Sequence, residues 1–173
     1  MSAGGCLTPQ NGRNGMFREM LRKKQALSKE ACISILKNEP RGVLSVLGDD
    51  GYPYGMPMNH YYCEADGKIY FHGGKHGHKI DALKRNGKAS FCVYDGGYRI
   101  EGEWALNIRS VIVFGTVELV DDPETVARIS DALSRKFTGD DAYIRGEIDR
   151  FGANTLLLVL SPEHMSGKLV NEA

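Results

Sequence analysis

Ile69-Tyr70-Phe71-His72-Gly73-Gly74-Lys75-His76-Gly77-His78-Lys79-Ile80 reads as a strand handing over to a helix. Bulky residues up to position 72 suit a pleated surface. Three glycines then break the strand, and Ile80-Asp81-Ala82-Leu83-Lys84-Arg85 takes up helical spacing. A helix that starts this way presents free backbone N–H groups and the positive end of its dipole. Lys75, His78 and Lys79 share one face of the first turn, because positions three and four apart are neighbours. Together these features make a site for an anion, most simply a phosphate. His72, His76 and His78 also invite a reading as metal ligands. The interleaved lysines oppose a cation, and Asp81 is the one acid close by in sequence. The anion reading is therefore preferred, and no metal is expected.

Working outward from this stretch, the chain is mostly strands. Residues 42–47 are β-rich and end at Gly48-Asp49-Asp50-Gly51, a hairpin signal. Residues 54–63 form the next extended segment, preceded by Pro53 and interrupted by Pro57, which suits an edge or a bulge. After an Asp66-Gly67 turn the chain returns as 68–72. Downstream, Asn86-Gly87 ends the short helix, and strands are expected at 89–94, 109–120 (with a bend at Gly115) and 155–160. Ser28 is placed as the N-cap of a helix that stops near Pro40. Asp122-Pro123-Glu124 opens another, running through Val126, Ile129, Leu133 and Phe137. Hairpins dominate, so parallel βαβ units are excluded in favour of a mainly β fold: a six-stranded antiparallel barrel with appended helices. Residues 1–15 read as a flexible tail, and 16–173 as a single domain.

Hydrophobic residues make up 42% of the 173 positions and charged ones 25%, which fits a globular domain and excludes disorder as the default. The formal net charge is zero, which argues against a nucleic-acid surface. The four cysteines form no C-x-x-C pair and are read as reduced thiols. No apolar run approaches the ~20 residues that cross a bilayer. With no secretory pattern at the start, a cytoplasmic location without membrane contact is expected. There is no P-loop and no G-x-S-x-G elbow.

The order of motifs is more specific than any one of them. Arg41-Gly42-Val43-Leu44, Gly48-Asp49-Asp50-Gly51-Tyr52-Pro53-Tyr54, Pro57-Met58-Asn59, Ile69-Tyr70-Phe71-His72-Gly73, Gly77-His78-Lys79-Ile80, Arg109-Ser110-Val111-Ile112-Val113-Phe114-Gly115 and His164-Met165-Ser166-Gly167-Lys168 follow one another in turn. In this the chain resembles the flavin-binding split-barrel superfamily that includes pyridoxamine 5′-phosphate oxidase, and within it the 5-nitroimidazole resistance family. The resemblance implies a split β-barrel homodimer with FMN (or FAD) at the subunit interface. It implies that Met56, Pro57, Met58, Asn59 and His60 lie along the flavin ring. His72 and Gly73 would stand beside the ribityl chain or phosphate, and His78 with Lys79 at the phosphate. Lys75 joins them from the anion reading above. Arg109 and Ser110 match an Arg-Gln pair whose second member reaches the flavin from the partner subunit; serine is shorter than glutamine.

The activity implied is a flavin-dependent oxidoreductase that reduces nitroimidazole-type or other small electrophilic substrates. Reduced nicotinamide or another donor would supply electrons. His72 is the candidate catalytic residue. Asn59 is read equally well as a local backbone partner, and Trp104 as substrate cover or packing. Two alternatives stand beside this reading: a non-enzymatic flavin carrier or sensor, and a pyridoxamine 5′-phosphate oxidase. The oxidase needs a second phosphate site, for which residues 161–173 offer only His164 and Lys168.

Overall fold

Residues 17–171 are described by a computed structural model. The expected tail at 1–15 lies outside the described residues. Helix α1 (Lys29–Asn38) begins where Ser28 Oγ accepts a hydrogen bond from the Ala31 amide (3.2 Å), and buries Cys32, Ile35 and Leu36. Strands β1 (Arg41–Leu47) and β2 (Pro53–Asn59) form an antiparallel hairpin. Its tight turn needs positive φ at Asp50 (55°) and Gly51 (78°), which the Asp-Gly pair tolerates. Then come β3 (Tyr61–Tyr62), β4 (Ile69–Gly74), α2 (His78–Arg85), β5 (Lys88–Tyr94) and β6 (Asn107–Val120). The last elements are α3 (Pro123–Ser134), α4 (Asp141–Phe151) and β7 (Thr155–Asn171).

All strands pair antiparallel, in the order β2-β1-β5-β6-β7-β4-β3. The two ends of that order, β2 and β3, are separated in the chain by His60 alone. A sheet whose outermost strands are consecutive in sequence must curl back on itself. The segment 53–62 pairs with β1 over its first seven residues and with β4 over its last two, Tyr61↔Tyr70 and Tyr62↔Ile69. The barrel is therefore closed at the β3 end and split between β2 and the second half of β4. Inside it, Leu44, Phe71, Phe91, Val113, Leu158 and Leu160 are fully buried. On the outer face of β4 and β7, α3 covers Tyr70, Leu157 and Val159 with Val126 and Ile129. Burial on both faces explains why 156–160 is a continuous apolar run.

Three details differ from expectation. The sheet has seven strands, the extra one being the two-residue β3, created when the extended segment changes partners. Strand β7 continues to Asn171 rather than stopping at 160. Pro162 is tolerated there because it lies opposite Gly115, where the β6–β7 register shifts. Between α3 and β7 a further helix, α4, starts where Asp140 Oδ1 accepts from the Ala142 and Tyr143 amides, both at 3.0 Å. Cys32, Cys63 and Cys92 are free thiols. No helix among the described residues is long and apolar enough to cross a membrane.

Candidate functional site in the split of the barrel

The split is a cleft of about 370 Å³ lined by Tyr54, Met56, Pro57, Met58, Asn59, His72 and Lys79, within the range of small-molecule sites. Along one wall, β2 pairs only with β1 among the described residues, so its outer backbone groups stay available for a ligand. Met56 and Met58 turn their side chains into the core, while Gly55 and Pro57 face outward. On the other wall, residues 71–74 of β4 pair only with β7 among the described residues.

Lys79 lies across Gly73. A Cβ on Gly73 would stand 2.8 Å from Lys79 Nζ and 3.1 Å from Cε, so the missing side chain makes room for the ammonium. Gly77, at φ 113°, turns the backbone into α2. The helix ladder begins with the Ile80 amide bonded to the Gly77 carbonyl (2.9 Å), leaving the His78 and Lys79 amides ahead of it. An ammonium beside a helix start is suited to an anion.

His72 projects from the outer face of β4 at the cleft wall. Its pKa is lowered, first by desolvation and second by repulsion from the Lys79 ammonium. The ring still keeps open surface; a concave wall, rather than enclosure, explains the desolvation. At neutral pH the imidazole is neutral and offers one donor and one acceptor.

The other expected site residues are placed less uniformly. Lys75 is half-buried between β4 and α2 and does not line the cleft. The His78 ring stacks on Tyr54 (centroids 4.3 Å apart) and approaches Asp49 Oδ2 at 3.4 Å, so only its backbone remains at the helix start. His60 is not brought to the cleft at all. It is fully buried against Phe91, and its Nε2–H donates to the Leu36 carbonyl at 2.7 Å. Burial, then the nearby Lys136 charge, lowers its pKa to about 4. Arg109 and Ser110 lie on β6, with β5 and β1 between them and β2. Arg109 Nε donates to Asp95 Oδ2 (2.6 Å) and its amide to Oδ1 (2.9 Å). Tyr54 is a lining residue that the reading of the sequence did not single out; its alternation with Met56 and Met58 was the available signal. Among the described residues, no three His, Cys, Asp or Glu side chains gather as around a metal.

The outer face of the barrel continues from the cleft. Strand register aligns Pro57, Val43, Cys92, Ile112 and Ser166 in one row across five strands. Ser110 lies on the same face, one row along, between Tyr94 and Lys168. Tyr94, Ile112 and Phe114 are exposed there.

Comparison with known proteins agrees with this architecture. A hypothetical protein from Mycobacterium tuberculosis has a solved structure that superposes with a TM-score of 0.74 at 20% identity, covering 87% of this chain and 90% of that one. A candidate 5-nitroimidazole antibiotic resistance protein from Bacteroides thetaiotaomicron gives 0.69 at 24%, covering 84% and 87%. An FAD- and heme-binding protein from Mycobacterium smegmatis gives 0.68 at 26%, covering 84% and 73%. A search of curated proteins gives no match. The family model described as pyridoxamine 5′-phosphate oxidase matches residues 28–169, and to that family the chain belongs.

Proposed function

We propose that the chain binds a flavin nucleotide in the split between β2 and β4 and serves as a flavin-dependent oxidoreductase for a small electrophilic substrate. The observation that carries this reading is the Lys79 ammonium lying across Gly73 at the start of α2, beside the unpaired edge of β2. A flavin nucleotide needs a phosphate cradle, backbone partners for its ring edge and an apolar wall. Lys79 with the first amides of α2 fits the first need, the β2 backbone the second, and Pro57 with the half-buried Tyr54 the third. When bound, a flavin supplies reversible electron transfer, and the protein supplies orientation and electrostatics. The neutral His72 would hold a proton or a hydrogen bond at the cleft wall. The relative described as FAD- and heme-binding supports a flavin in this fold. FMN is our preferred form, because the cradle suits a terminal phosphate; FAD is the alternative.

A second copy of the chain completes the proposal. Arg109 and Ser110 sit too far along the sheet to serve their own cleft, while the apolar outer face carries Ser110 together with Ile112. Packing two such faces would bring one copy's Ser110 towards the other's Pro57. Nitroimidazoles are the electrophiles we would try first, with reduced nicotinamide as donor, in a cytoplasmic setting. Oxidation of pyridoxamine 5′-phosphate is disfavoured, because among the described residues Lys79 is the only lysine or arginine lining the cleft.

The test is a visible spectrum of the purified protein with mass analysis of the released ligand. A flavin spectrum with FMN or FAD mass is expected. A colourless protein that ignores both added nucleotides would sink the proposal. Steady-state NAD(P)H oxidation with a nitroimidazole acceptor then separates the enzyme from a carrier whose flavin is never reduced.

A further inference from the structure

His72 borders a second, half-open cavity of about 310 Å³, bounded by α3, α4 and the adjoining ends of β4 and β7. Helices that merely pack fill their contact with apolar side chains. Here α3 presents Ser130 and Ser134, and α4 presents Tyr143, Glu147 and Phe151, each set at four-residue spacing and so on one stripe. The two helices are tied together by a polar link: Arg135 binds Asp131 on α3 (2.8 Å) and Asp141 on α4 (2.9 Å). That link keeps both acids out of the cavity. Glu147 is half-buried, makes no ion pair among the described residues, and is the cavity's one carboxylate. Among the described residues no lysine or arginine lines the cavity, although the Arg150 guanidinium lies over the Phe151 ring, 5.0 Å from its centroid.

A pocket with one unpaired carboxylate, several hydroxyls and an aromatic wall has a definite preference. It accepts hydrogen bonds at Glu147, whose carboxylate attracts a cation, and it offers the uncovered part of the Phe151 ring as an apolar wall. We propose that this cavity is a second organic-ligand pocket and selects a small planar cation, such as an amidine or a protonated heteroaromatic amine, over carboxylates and phosphate esters. Its purpose rests on the flavin reading, since His72 is shared by the two cavities and would place such a ligand next to the cofactor. The binding itself does not depend on that reading.

The experiment uses benzamidine, benzyl alcohol and benzoate as probes, titrated into isotope-labelled full-length protein and followed by amide resonances. Benzamidine is expected to saturate, shifting Ser134, Tyr143 and Glu147. Benzoate should bind at least tenfold more weakly, and benzyl alcohol in between. Glu147→Gln should weaken benzamidine at least tenfold and leave benzyl alcohol unchanged. Ser134→Leu, which fills the cavity from the other helix, should weaken both. Equal affinity for benzamidine and benzoate, shifts confined to other surfaces, or Glu147→Gln without effect would each overturn the proposal. Flavin absorbance of the same samples is read separately. If flavin is absent while benzamidine still depends on Glu147, the cofactor reading fails and the pocket stands; if flavin is bound and benzamidine ignores Glu147, the reverse holds.

Discussion

Lys79 and Gly73 work as a pair, one supplying charge and the other space. Lys79→Ala should weaken FMN binding by roughly 1–3 kcal/mol, the worth of a charge-assisted hydrogen bond. Lys75→Ala, outside the cleft, should cost much less. Titration by quenching of flavin fluorescence measures both, and equal losses would remove Lys79 from its special position. Gly73→Ala should reduce affinity while sparing stability, because its new Cβ meets the flexible end of Lys79 rather than backbone. His60 is a residue whose role burial changed. Its pKa falls from 6.5 to about 4 on folding, so between those values the unfolded chain binds more protons. Stability should therefore drop as pH falls from 6.5 to 4, by on the order of 3 kcal/mol. Urea unfolding across that range measures the slope. His60→Asn should lower stability at pH 7 yet flatten the slope; parallel slopes in the two proteins would assign the acid sensitivity elsewhere.

Two long strands, β6 and β7, form the spine on which the other elements hang, and their bulge sets its bend. Gly115 sits at the register shift, where any Cβ would run into the Ser161 carbonyl. Backbone cannot give way as a lysine tip does. Gly115→Ala should therefore destabilise by about 1–3 kcal/mol, as overpacking does, while Gly74→Ala, with open space around it, should stay within about 0.5 kcal/mol. Denaturant midpoints compare the two, and similar values would mean the bulge relaxes freely. The edge strand β2 follows the same logic from the other side. Its prolines Pro53 and Pro57 made it legible as an edge, and being an edge is what leaves its backbone free at the cleft.

At the scale of the molecule, the exposed row through Ile112 is the surface on which the two-copy proposal depends. Ile112→Asp should yield monomers and lose flavin in the same step, as sizing chromatography with absorbance detection would report. A stable monomer that keeps its flavin would refute a shared site. Much of this architecture was readable in advance, since period-two alternation, Asp-Gly turns and the glycine-rich entry to α2 are local signals that act over a few residues. The helix α4 escaped notice because its buried contact is slight, Ile144 alone being fully enclosed, so its apolar pattern is faint. Local chemistry sufficed for strand, turn and the glycine-led start of α2, because backbone preference and side-chain spacing depend on near neighbours. Which histidine faces the cleft and which faces Leu36, whether Arg109 reaches the cleft or Asp95, and that a second cavity adjoins His72 all followed from the curl of the sheet. Those outcomes depend on pairings between residues far apart in the chain, and no local pattern encodes them.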